Sequence, residues 1–470
     1  MLDGQSRSFV GRTSELKRLD GLYASGKFEC VILHGRLRLG KTSLLREFCK
    51  NKKCIYFSAQ ETSDRENLAA LVRAVEALPR DLASLQLLGL EPRLKNYYDE
   101  VFDRLNKISR TERLVLVIDD YHFLAASNKG ISELICRHIE QKLSTGQLML
   151  VLCGSSEVVM ESETLGYDSP FHGCRTAQIK LQPLTFFEVK RHYSGFSPFD
   201  IAVIYGVTGG TPMYLNLMDP NLSVEDNIRN TFFDPSSVMF DEPASFLRRE
   251  VRDPSFYNAI LKAIASGYTK NSEIATEVGL ETSACTAYLK NLAAFGLIGK
   301  HTPVTEKAGK KTIYEIEDSM FRFWYLFVPD NYSLIQSGMV DKIWRNVAQG
   351  IPAFMSKVFE DICRQWVGQR NLAGNMPVRF IEVGRWWGYD LVSKNDTVIP
   401  IVAYSDNDAL FGEAVWSDEP TGVDELRSLE ERSRLFRFPN RHLYLFSRSG
   451  FTDECAILAQ QYNANLVVFE

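Results

Sequence analysis

Through the first 185 residues, short unbroken apolar runs alternate with stretches in which apolar residues return every three or four positions. CVILHG (30–35), CIYFSAQ (54–60), LVLVIDDYHFL (114–124), LMLVLCGSS (148–156) and AQIKLQPL (177–184) read as strands. Residues 8–19, KTSLLREFCKN, a long stretch over 64–108 and SELICRHIEQKL carry helical spacing. Strands without polar alternation are covered on both faces, so strand alternating with helix predicts a parallel sheet. From 185 to 250 the pattern is helical, broken at GVTGGTP (206–212). Residues 254–317 read as a compact module of helices and a hairpin, followed by the aromatic run MFRFWYLFV (320–328). Beyond about 353, FIEVGRWW, TVIPIVAY, ALFGEAVW, HLYLFS and NLVVFE predict a second α/β unit.

The turn after the first strand carries the clearest chemistry. Gly35-Arg36-Leu37-Arg38-Leu39-Gly40-Lys41-Thr42, with Ser43 behind it, fits GxxxxGK[ST] in full, after a strand and opening a helix. Glycines let backbone N–H groups wrap phosphate oxygens, and the helix N-terminus adds partial positive charge. Lys41 is placed to neutralise the β- and γ-phosphates of ATP, and the Thr42 hydroxyl to ligate Mg²⁺. Mg²⁺ keeps most of its waters and takes few protein ligands. Asp119, ending the third strand, is the expected carboxylate partner, directly or through water. Asp120 is the candidate for polarising the attacking water, with Glu61 after the second strand as the substitute; capping the next turn is the bland alternative for Asp120.

Composition sets outer limits. A chain of 470 residues exceeds what one core usually organises, so two or three domains are expected. A net charge of −5 excludes a polyelectrolyte binder, and any nucleic-acid contact must come from a local patch. The nine cysteines form no CxxC, which argues against a zinc ribbon and for reduced, buried thiols. No apolar run approaches the ~20 residues that cross a bilayer, and the N-terminus lacks a signal core. A soluble, cytoplasmic protein with no membrane partner is the expectation.

FVGR-x-x-EL (Phe9 to Leu16), GRLRLGKTSLL, FSAQET, VIDDYHFL, LCGSS and GGTP, in this order, resemble the archaeal and bacterial P-loop ATPase family related to AAA and signal-transducing NTPases. The resemblance implies a P-loop ATPase core over 1–185, a helical lid over 186–250, a winged-helix domain with its aromatic bridge over 251–330, and a restriction-endonuclease-like domain over 350–470. It makes Val10 and Arg12 candidate adenine contacts. Pro212, in Gly210-Thr211-Pro212, would couple the γ-phosphate to domain packing. An extra strand would separate the phosphate-loop strand from the acid strand. Many members carry Glu where this chain has Asp120, whose shorter reach implies slow turnover or mainly a binding switch. Ser155 and Ser156 stand where a small polar side chain senses the γ-phosphate, or simply turn the chain. Arg175 resembles an arginine finger acting between subunits of a homo-oligomer; a surface arginine is the other reading.

In the middle module, SEIATEVGL and TSACTAYLKNLAAFGLI have helix-turn-helix proportions. Thr282, Ser283, Thr286 and Lys290 mark the expected recognition helix, and Lys307, Lys310 and Lys311 a basic wing. The sequence leaves duplex-DNA binding and a packing role equally open. In the C-terminal part, the first acid of the nuclease pattern PD-(D/E)xK falls on Pro400, and the lysine falls on Val415. The second acid is kept as Glu413, with Glu360 upstream; Asp396 or Lys394 would have to supply the rest. Trp386 and Trp387 are read as core or interface residues before base-stacking ones. An inactive nuclease fold is expected. Two functions remain: an ATP-driven switch with slow hydrolysis, or a DNA-binding regulatory or defence-associated protein in which ATP licenses assembly.

Overall fold

The structure is a computed structural model that describes residues 9–77, 94–193, 195–305, 311–390 and 394–469. It divides into two compact units. The first reaches to Leu184 and takes back Thr211–Asn216; the second holds Thr185–Gly210 and the chain from Leu217 onward.

Five strands form the first unit's sheet: β1 Glu29–His34, β2 Cys54–Ser58, β3 Leu114–Asp119, β4 Leu148–Gly154 and β5 Ala177–Lys180. All pair in parallel, in the order β2-β3-β4-β1-β5. β4 therefore separates the phosphate-loop strand β1 from the acid strand β3, as the motif order implied. Side chains alternate across the sheet. Cys30 and Ile32 join one buried cluster with Leu71, Phe102 and Ile118, while Val31 and Leu33 join another with Leu44, Phe48 and Val117. Being covered on both faces explains the unbroken apolar runs.

Two readings of element ends need correction. The strand expected over 114–124 stops at Asp119, because Asp120 turns left-handed (φ 53°) and Tyr121–Ser127 is a helix. The stretch over 64–108 holds two helices, Asp64–Glu76 and Leu94–Ser109, and the residues between 78 and 93 lie outside the described ones.

In the second unit, helices Phe186–His192, Pro198–Thr208, Val224–Phe232 and Val238–Glu250 fill the stretch read as helical. Helices Ser255–Ala265, Asn271–Glu277 and Thr282–Ala294 precede an antiparallel hairpin, β6 Ile298–His301 and β7 Ile313–Ile316. This is the element order expected of the middle module; Lys307 and Lys310 lie outside the described residues. The aromatic run is helix Ser319–Phe327, with Met320, Phe321, Phe323, Trp324 and Tyr325 buried. Trp324 Nε1 donates to the Phe240 carbonyl at 2.8 Å, so the run is packed interior and no stacking surface.

Helix Val340–Leu372 leads into a second sheet of β8 Glu382–Asp390, β9 Asn395–Tyr404, β10 Asp408–Val415, β11 Asn440–Ser447 and β12 Asn465–Val468. Its order is β12-β11-β10-β9-β8, antiparallel from β8 to β10 and parallel from β10 to β12. All five strands read from the sequence are present. Among the described residues, no helix is long and apolar enough to cross a membrane.

Candidate active site

The phosphate loop turns on backbone geometry that its sequence supplies. Gly35 sits at φ 146°, and a Cβ there would meet the Leu181 carbonyl oxygen at 2.6 Å, so only glycine fits. Arg38 (φ 73°) and Gly40 (φ 82°) are also left-handed, and Gly40 caps helix Lys41–Cys49. Lys41 is 7 % exposed, and its Nζ donates to the Gly35 and Arg36 carbonyls at 2.7 Å each. Burial lowers its pKa from the usual lysine value, with Asp119 and Asp120 among the groups opposing that shift. The lysine is thus held over the loop, where a phosphate would exchange for its carbonyl partners.

Thr42 and Asp119 are brought together. Thr42 Oγ1 donates to Asp119 Oδ2 at 2.8 Å, and Tyr56 OH donates to the same oxygen at 2.6 Å. Asp119 Oδ1 accepts the Asp120 N–H at 3.0 Å, and the carboxylate is 2 % exposed. A buried carboxylate bonded to the loop threonine is the donor set a hard dication needs, so the residues present fit Mg²⁺. Tyr56 was not singled out in the sequence; its only signal is a position two residues after the start of β2, the neighbour of β3. Asp120 is half-buried, and burial followed by the Asp119 charge raises its pKa above the ordinary carboxylate value. His122, two residues on, is pushed down to about 4 by burial and then by Lys41, so it is neutral at pH 7.

The flanking candidates fall on both sides of this centre. Arg12 is buried, and its Nη2 donates to the Leu39 carbonyl at 3.0 Å, which ties the FVGR segment to the phosphate loop; Val10 is half-buried beside it. Pro212 faces Gly40, at 3.9 Å from where a Cβ would stand, after left-handed Gly209 and Gly210. Ser156 accepts from the Val159 N–H as a helix cap, while Ser155 is half-buried at the end of β4. Ser43 and Glu61 are exposed. Arg175 is not brought to the loop. The Thr176 N–H bonds the Cys30 carbonyl, which puts Arg175 at the amino edge of the parallel sheet, opposite the loop that follows His34. Its Nη1 donates to the Thr164 and Leu165 carbonyls at 2.7 Å each.

Comparison with known proteins agrees with this geometry. Residues 9–218 match a family described as an ATPase domain predominantly from Archaea. This part of the chain is a P-loop ATPase domain of that archaeal type. Residues 324–431 match a second family, described as archaeal and bacterial proteins of unknown function. An uncharacterised protein of Methanocaldococcus jannaschii is 28 % identical over 421 residues, covering 87 % of this chain and 88 % of its own length. An uncharacterised ATP-binding protein of the same organism is 44 % identical over 45 residues, 10 % of this chain and 76 % of that protein. In fold, the chain is similar to the Walker-type ATPase of Pyrococcus abyssi (TM-score 0.54, 20 % identity, 69 % of this chain and 99 % of that one).

Beyond the ATPase domain, the C-terminal sheet sets Glu413 against an arginine. β9 and β10 are antiparallel with Gly412 opposite Ile401, so Glu413 neighbours Pro400. Arg432 Nη2 donates to Glu413 Oε2 at 2.6 Å, and Arg364 Nη1 donates to the Pro400 carbonyl at 2.5 Å. Arg364 also pairs with Asp361, and with Glu360 at 3.8 Å. Asp396 lies four residues from Pro400 along β9, ~13 Å at strand rise, and is exposed like Lys394. Among the described residues, no group of three His, Cys, Asp or Glu side chains is placed to hold a metal. Trp386 is buried, with Trp387 Nε1 donating to the Lys311 carbonyl at 2.9 Å.

Proposed function

We propose that this ATPase works as a nucleotide-driven switch: it binds ATP with Mg²⁺, hydrolyses it slowly, and passes its nucleotide state to a winged-helix module and an inactive nuclease-like domain. The observation that carries the reading is the Thr42–Asp119 hydrogen bond beside the buried ammonium of Lys41. Bound there, Mg²⁺ would offset phosphate charge, with Thr42 and Asp119 as the residues that hold it. Lys41 and the loop N–H groups bind the phosphates, Arg12 braces the loop through Leu39, and Asp120 orients the water. Asp120 is one methylene shorter than glutamate and hangs on a left-handed residue, which supports slow turnover. Pro212, set against Gly40 between two left-handed glycines and the helix it opens, supports a nucleotide-sensing role. Arg175 stands at the far edge of its own sheet, so a second copy of the chain would be needed to bring it to a phosphate. The test is ATP turnover with and without duplex DNA, alongside particle mass in each nucleotide state. DNA-indifferent turnover is expected.

A second reading has ATP licensing assembly on DNA. It is favoured by helix Thr282–Ala294, which buries Cys285, Leu289 and Leu292 and leaves Thr282, Ser283, Thr286 and Lys290 exposed. DNA-stimulated turnover, with affinity falling steeply as salt rises, would replace the first reading by this one.

The absence of nuclease activity is a separate prediction. Arginines stand at both retained acids, and cationic partners at 2.6 Å and 3.8 Å compete with any metal for Glu413 and Glu360. Incubated with duplex DNA and Mg²⁺ or Mn²⁺, the purified protein is expected to cut no faster than its Glu413→Ala variant. Cleavage that disappears in that variant would restore an active nuclease.

A further inference from the structure

In the second unit, helices Ser319–Phe327 and Val340–Leu372 meet the β6–β7 hairpin and β8 around two adjoining cavities. One, of about 330 Å³, is polar-walled; the other, of about 380 Å³, includes Ile264, Leu326, Phe327 and Phe354 in its wall. Glu315, Ile316, Arg322 and Lys357 border both. Arg322 lies over the Phe354 ring at 5.1 Å, and its Nε and Nη2 are buried with no acceptor among the described residues. Nε of Arg385, in the polar wall, likewise has none.

The acids nearby are already engaged. Glu315 takes Arg385 at 2.6 Å and Lys357 at 3.7 Å. Glu317 takes His301 at 2.9 Å, and Glu382 accepts from Tyr404 at 3.1 Å. Arg364 serves Asp361 and Glu360. What the walls leave unfilled is therefore donors, on guanidinium groups that stay charged at any working pH. Buried charged donors without acceptors are costly unless something supplies the oxygens. Arg322 Nε and Nη2 and Arg385 Nε carry four unfilled N–H groups, and with the Lys357 ammonium they exceed the roughly four lone-pair sites of a carboxylate and suit the larger oxygen set and charge of a phosphate. The second chamber offers aliphatic and aromatic walls to whatever the phosphate is attached to, and each volume lies in the range of small-molecule sites.

We propose that the joined cavities bind a small phosphate-bearing molecule with a flat apolar body, its phosphate on Arg322 and its body against Leu326 and Phe354. The site is separate from the phosphate loop and makes no use of Lys41 or Asp119.

The test uses the full chain carrying Lys41→Ala, so that the phosphate loop is silenced, with inorganic phosphate and adenosine monophosphate as calorimetric probes. Both are expected to bind, the nucleotide at least about tenfold more tightly, and Arg322→Gln is expected to weaken each at least about tenfold. Leu326→Trp, which fills the apolar chamber and spares Arg322, should lose the nucleotide's advantage while inorganic phosphate still binds. No saturable heat with either probe, or the same affinity in Arg322→Gln, would overturn the site. Equal affinity for the two probes would overturn the apolar half of it.

Discussion

Alanine in place of Lys41 is expected to abolish ATP binding at micromolar nucleotide and to cut hydrolysis by at least ~10²–10³, the scale on which losing one preorganised cationic or hydrogen-bonding group from a dry site acts. The ammonium is 7 % exposed and already aimed along the loop by the Gly35 and Arg36 carbonyls, so phosphate binding requires only that it exchange those two hydrogen bonds. Those carbonyls stabilise the lysine rather than the reverse, because Gly35 is fixed by its approach to Leu181 and Gly40 by the helix it caps. Folding should therefore change little: a loss of two charge-assisted hydrogen bonds, offset by removing a buried charge, is worth ~1–2 kcal/mol, or ~2–8 °C in melting temperature for a domain of this size. Isothermal calorimetry with Mg-ATP and a thermal melt, run side by side, separate the two effects. Turnover within about threefold of the native rate would mean that the loop does not carry the chemistry.

The sequence disclosed the ATPase core well because its strands are buried on both faces. Such strands read as solid apolar runs, and Val31 to Leu33 or Val115 to Ile118 offer no competing helical period. The loop was legible for a related reason: left-handed turns and close backbone approach leave little choice but glycine, and the ammonium and hydroxyl must follow at fixed spacing. Long-range partners were not legible. Tyr56 reaches Asp119 only because β2 and β3 pair with Ser58 beside Asp119, and a pairing register does not show in either strand alone. The same holds in the C-terminal domain, where Pro400 and Val415 occupy two positions of the nuclease pattern expected from the sequence. Arg364 stands one turn from Glu360 on the same helix, but that Arg432, on helix Val423–Ser433, would meet Glu413 depends on how that helix packs against β10. Arg175 shows the limit of motif order: the residue falls where a finger is expected, yet its guanidinium is bonded to its own chain's carbonyls.

Asp120→Asn should separate chemistry from binding. Asparagine tolerates the left-handed backbone at this position (φ 53°) as well as aspartate does, so the helix Tyr121–Ser127 keeps its start and the substitution changes one oxygen to an amide. Mg-ATP affinity is expected to stay within about threefold, since Asp119, Thr42 and Lys41 keep their contacts, while turnover falls by ~10²–10⁴, the contribution of a positioned general base. The pH profile gives an independent readout. Burial and the adjoining Asp119 charge hold the Asp120 pKa above the ordinary carboxylate value. A base works only when deprotonated, so native turnover should fall with decreasing pH at a higher pH than a free aspartate would dictate, and that limb should vanish from the residual rate of the asparagine variant. Asp120→Glu adds the missing methylene, and faster turnover than the native chain would identify short reach as the cause of slowness. Unchanged turnover in Asp120→Asn would move the role elsewhere, with Glu61, exposed beyond the end of β2, next in line.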